Sequence, residues 1–188
     1  MKRISLPQRY HVSLRILHWA IAALILTALI LGTFVMAPAK PDDPAKAFAL
    51  LKHMLAGSLI LILTLIRIFV RPKTRRPAPV LSGIAAADRM IPLVHRIFDI
   101  MALVMVGSGI ALATLNHLHE LVPGIIFSGQ GHLPADYSGH PIHLLHIWIA
   151  RLLAAIVALH VAGALYHHFI LRDGLFGRMA LVTGRPKG

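Results

Sequence analysis

The chain alternates between long apolar runs and short polar joints. Four runs are long enough to cross a bilayer, which takes roughly 20 helical residues. They span Arg15–Ala37, Leu50–Val70, Ile91–Leu115 and His143–Leu171. The joints "APAKPDDPAK", "RPKTRRPAPV" and "VPGIIFSGQGHLPADYSGHP" collect the Pro and Gly that stop helices. The longest joint, 116–142, is too short for another domain. The pattern predicts an all-α membrane protein, a single transmembrane domain over residues 1–188 built as a four-helix bundle. The opening "MKRISLPQRYHVSLR" is a longer basic region than a signal peptide carries, and the run after it is too long for one.

One stretch breaks the apolar monotony in a specific way. "LHIWIARLLAAIVALHVAGALYHHF", Leu145–Phe169, holds His146, His160, His167 and His168, with Arg151 its one charged residue. A histidine inside a bilayer helix costs free energy unless its ring nitrogens are satisfied. His18 in the first run and His53 in the second raise the same question.

Charge fixes the expected orientation. The formal net charge is +12. Lys2, Arg3, Arg9 and Arg15 precede or open the first run, and Arg71, Lys73, Arg75, Arg76 and Arg89 join the second to the third. Arg172, Arg178, Arg185 and Lys187 follow the fourth. The joint after the first run has Lys40, Lys46 and Lys52 against Asp42 and Asp43; the joint after the third has no Lys or Arg. This is the positive-inside pattern, with both termini cytoplasmic. It accounts for the basic residues without nucleic acid as a partner.

That orientation assigns depths. His18 lies toward the cytoplasmic side, His53 and His146 toward the outer side. His160 follows His146 by fourteen residues, about 21 Å of helix, and at about 100° per residue the two share a face. His18 and His160 then form an inner pair, His53 and His146 an outer pair. Two imidazoles opposed across a bundle suit the iron of a b-type haem. A single zinc shell needs three or four ligands together, which two pairs this far apart do not supply. The absence of Cys excludes thiolate clusters and covalently attached c-type haem. Small residues one turn away, Ala22, Gly57, Ala150, Gly163 and Ala164, leave room for a flat ring.

The chain resembles the bacterial cytochrome b561 family, small di-haem b membrane cytochromes related to the cytochrome b subunits of nickel–iron hydrogenases. The resemblance rests on "LHW" (Leu17–Trp19), "KHMLAGSLILILTLIRIFVR" with His53 and Arg67, "LVH" (Leu93–His95) and the stretch from His146 to "LHVAGALYHHFILRDGLFGRM". The family's ligand histidines match His18, His53, His146 and His160. The sequence departs from the family at Asp99, where Tyr is common, at Val106 for a Pro, and at Ile147 for a Glu. The resemblance implies two haem b groups, a multi-pass place in the bacterial inner membrane, and electron exchange with a quinone such as ubiquinone. For some members it implies oxidation of superoxide.

Other residues carry narrower expectations. Arg67 follows His53 by fourteen residues on the same face, placed to pair with an inner-haem propionate. His95 opens the third helix beside Arg96 and Asp99, placed for a propionate, a quinone carbonyl or a proton. Lys52 and Arg151 are outer-side cations that would steer an anionic donor such as superoxide. His167, on the face of His160, would approach the inner haem. His117, His119, His132, His140 and His143, with Glu120 and Asp136, form a His-rich outer joint. Two other functions are open at this point: a membrane-anchor cytochrome for a partner dehydrogenase or hydrogenase subunit, and a haem-free divalent-metal carrier, which would purify colourless.

Overall fold

The computed structural model describes residues 9–40, 43–75, 77, 85–118 and 140–181. Four helices account for most of them: α1 (Val12–Ile30), α2 (Pro44–Val70), α3 (Ala85–Leu115) and α4 (Pro141–Tyr166). The described residues contain no strand. All four are long and apolar enough to cross a membrane.

Helix starts fall earlier than the apolar runs suggested, and at α1 and α2 a polar side chain, His11 or Asp43, caps the start. The Asp43 carboxylate accepts from the Ala45 N–H at 2.8 Å, and Pro44 occupies the first helical position. Pro141 does the same for α4. Hydropathy registers the lipid-facing part of a helix, and the caps lie beyond it.

Two helices widen at their ends into π turns, α1 over Leu31–Met36 and α4 over His167–Leu171. Such turns recur at functional sites. α1 packs along α2, α2 against α3, and α3 against α4. The shared core holds Ile60, Ala102 and Val106, covered by Leu24, Ile25, Ala28 and Leu61. Most remaining large apolar side chains face outward, as in Phe34 and Leu159. In a bilayer that outward face meets lipid, where apolar exposure costs nothing.

Beyond α4 the chain reverses. Arg172 and Gly174 take positive φ, 50° and 73°. Glycine bears this freely; for Arg172 the strain is partly offset by its Nε donating to the Phe169 carbonyl at 3.3 Å. The reversal lays residues 172–180 along the start of α1 as a strap. Arg9 donates to the carbonyls of Gly177 and Ala180, at 3.0 and 2.8 Å. Arg15 donates to Ala180 at 2.7 Å, and Trp19 Nε1 to Met179 at 2.9 Å. The Tyr10 N–H reaches the Arg178 carbonyl at 3.3 Å. The two ends of the described chain therefore meet at one end of the bundle.

Candidate functional site

The histidines gather at two levels. At the end where the strap meets α1, His18 of α1 faces His160 of α4, with ring centroids 6.3 Å apart. Toward the other end, His53 of α2 faces His146 of α4 at 6.1 Å. α4 contributes one ring to each level, and α1 and α2 supply the opposing rings.

The outer pair is held by hydrogen bonds that select a tautomer. His53 Nδ1 donates to the Ala28 carbonyl at 3.1 Å. That carbonyl lies just before the π turn of α1, where helix hydrogen bonding changes register. His146 Nδ1 lies 2.9 Å from the Ser108 hydroxyl on α3, which is itself 2.8 Å from the Met105 carbonyl. A carbonyl only accepts, so the Ser108 proton goes to Met105 and His146 is the donor. Both rings then keep Nε2 without its proton. A histidine that binds a metal ordinarily has its second nitrogen tied in this way.

Helix backbone seats the same rings. A Cβ added at Gly109 would lie 3.2 Å from His146 Cε1, and one at Gly32 would lie 3.6 Å from His53 Cε1. Gly109 is the tighter approach, so a side chain there would push the ring. Beside Gly57 and Gly163, one turn from His53 and His160, an added Cβ would meet nothing within 4 Å. Between α1 and α4 runs an apolar cleft of about 490 Å³, lined by Leu26 and Leu29 on one side and by Ala154, Ala158 and Ala162 on the other. It flanks the level of His160.

The inner pair has an aromatic and ionic setting. Phe98 of α3 stands edge-on to His160, with centroids 5.2 Å apart, and Trp19 to His18 at 5.4 Å. The residue after Phe98 is Asp99, 8% exposed. Its carboxylate accepts from Arg67 and, at 3.4 Å, from Arg71. The Arg67 guanidinium, expected against a haem propionate, thus already has a protein partner. The Thr64 hydroxyl, one turn before Arg67, is buried with no hydrogen-bond partner among protein atoms.

Lys52 is exposed beside His53. Arg151 is exposed too, and its guanidinium stacks over Trp148 at 4.8 Å. His167 Nδ1 meets the Asp173 carboxylate at 2.5 Å, in the reversal that begins the strap. That hydrogen bond holds the Asp173 carboxyl below its ordinary value, with help from the Leu175 N–H. His95 lies on α3, where the structure describes the helix but not this side chain. His117 lies in the turn just beyond α3 with φ 51°, and His140 precedes α4 at its N-cap position. His119, Glu120, His132 and Asp136 lie outside the described residues. Among the described residues no three His, Asp or Glu side chains gather as a metal site.

Three partners were not found from sequence: Ser108, the Ala28 carbonyl, and Asp99 as the ion-pair partner of Arg67. A Ser–Gly step in an apolar helix was the available signal for Ser108. A backbone carbonyl gives none.

A family model described as prokaryotic cytochrome b561 matches residues 9–180. The chain belongs to the prokaryotic cytochrome b561 family. It is a multi-pass membrane cytochrome of b type with a role in electron transfer. Among curated proteins it is similar to the probable superoxide oxidase CybB of Yersinia pestis, at 23% identity over 133 residues, 68% of this chain and 72% of that protein.

Proposed function

We propose that the chain holds two b haems, one at each histidine pair, and passes electrons across the membrane between a small donor and the quinone pool. The spacing of the rings carries this reading. A metal–imidazole bond is about 2 Å and the ring centre lies about 1.1 Å beyond the nitrogen, so two imidazoles flanking one iron would have centres roughly 6.2 Å apart. The pairs stand at 6.3 and 6.1 Å. The bare Nε2 atoms of the outer pair and the open space beside Gly57 and Gly163 support it further.

In this reading His18 and His160 ligate the inner haem, His53 and His146 the outer. Bound haem supplies one-electron exchange between ferric and ferrous iron. The protein's part is to fix the ligand rings, exclude water and set the surrounding charge. Arg67 pairs with Asp99, with Arg71 beside it, and a haem propionate there would be a further anion for these guanidinium groups. The level where the strap meets α1 is cytoplasmic, as the basic residues suggest, and the membrane is the bacterial inner one.

The donor we favour is superoxide, on the similarity to a protein named as a probable superoxide oxidase. Two superoxide ions lose one electron each to give two O2. One ubiquinone takes both electrons and two protons to give ubiquinol. Two histidines would hold each haem, so donor and acceptor would exchange electrons with it without binding to the iron.

A reduced-minus-oxidised spectrum of the purified protein, with haem counted by pyridine haemochrome, tests the reading. Two low-spin b haems per chain are expected. One haem, a high-spin spectrum or a colourless protein would overturn it.

A further inference from the structure

His53 and His146 satisfy their second ring nitrogens differently. His53 gives its N–H to a main-chain carbonyl, that of Ala28. His146 gives its N–H to a side chain, the hydroxyl of Ser108. Ser108 is 6% exposed, so no bulk water competes for that hydroxyl. The next residue, Gly109, brings the α3 backbone against the edge of the same ring. Two consecutive residues of α3 therefore set both the rotation and the protonation of His146.

The hydroxyl is a stronger acceptor than an isolated serine would be. Its own proton is committed to Met105 at 2.8 Å. A hydroxyl that donates becomes more negative at oxygen and accepts more strongly, because linked hydrogen bonds polarise one another. The chain runs from His146 Nδ1–H to Ser108 Oγ–H to the Met105 carbonyl. It draws the Nδ1 proton outward and leaves electron density on the ring. An imidazole so polarised is a better donor to iron through Nε2 and favours the ferric state.

We infer that Ser108 is a positioning residue for the outer haem, fixing the His146 tautomer and lowering that haem's reduction potential. The inference rests on His146 being an outer-haem ligand. It makes Ser108 the adjustable partner of the outer pair, since the Ala28 carbonyl has no side chain to exchange. A lowered outer potential favours onward transfer of an electron toward the inner haem.

The experiment is a redox titration of the purified holoprotein, followed in the visible bands, for Ser108→Ala, Ser108→Cys and Ser108→Thr. Alanine removes the acceptor. Cysteine nearly keeps the volume but accepts weakly. Threonine keeps the hydroxyl. Each is made also in a His18→Ala background, which isolates the outer haem. The expected result is an upward shift of the outer midpoint in the Ala and Cys variants, an unmoved inner midpoint, and a wild-type value for Thr. Loss of the outer haem from Ala and Cys, with retention in Thr, supports the same role. Unchanged midpoints in all three overturn the inference, as do equal shifts or equal haem loss in all three, which mark a packing role. His146→Ala separates the premise: if it retains both haems, the ligand assignment itself has failed.

Discussion

His18 and His160 face one another with ring centroids 6.3 Å apart, although they come from opposite ends of the chain. Replacing either by alanine should remove one haem and leave the other. The corresponding changes at His53 or His146 should remove the opposite one. Haem content and low-temperature spectra of the four variants check this, with retention of both haems in any of them counting against the pairing.

The strap binds the described ends of the chain together, residues 9–19 and 177–180, at one end of the bundle. Their basic residues point that end to the cytoplasm. A reporter active only in the cytoplasm should work at either terminus, and one active only outside should work at neither. Opposite behaviour would invert the inner and outer levels.

Asp99 is a buried carboxylate between two guanidinium groups. Asp99→Asn keeps its shape and removes its charge, taking from Arg67 the carboxylate it pairs with. Removing one partner from a buried ion pair costs about 3–5 kcal/mol. The thermal midpoint in detergent should fall markedly. Arg67→Met combined with Asp99→Leu should recover much of the loss, and strictly additive effects would show that the pair does not interact.

Asp173 holds the reversal that starts the strap, through His167 and the Leu175 N–H. Its carboxyl is held below the ordinary carboxylate value by the His167 hydrogen bond first. A depressed acid contributes stability that is complete above its unfolded pKa of about 3.9 and is lost as pH falls through the lower folded value. Strap docking should therefore be constant from neutral pH down to about 4 and loosen below it. Hydrogen exchange at residues 175–180 against pH measures this. Asp173→Asn should loosen the strap at neutral pH and abolish that acid step.

Lys52 is exposed next to His53. A cation there raises the local concentration of an anionic donor. Lys52→Glu should slow reduction by pulsed superoxide and weaken its salt dependence, with haem content intact. Equal rates in both proteins, insensitive to salt, would shift the favoured reading to a membrane-anchor cytochrome.

The four spans and their order were legible in the sequence, because a bilayer demands long apolar helices and each run reads independently of the others. That His18 would face His160 and His53 would face His146 was legible too, since helix rise and turn convert spacing into depth and facing. Local periodicity carries no information about partners on other helices. That Asp99 takes Arg67, that Ser108 and the Ala28 carbonyl receive the outer N–H groups, and that residues 172–180 fold back on Arg9, Arg15 and Trp19 were decided by tertiary structure alone. Each of these contacts joins distant parts of the chain, and each exists because a polar group shielded from water must find its partner wherever packing provides one.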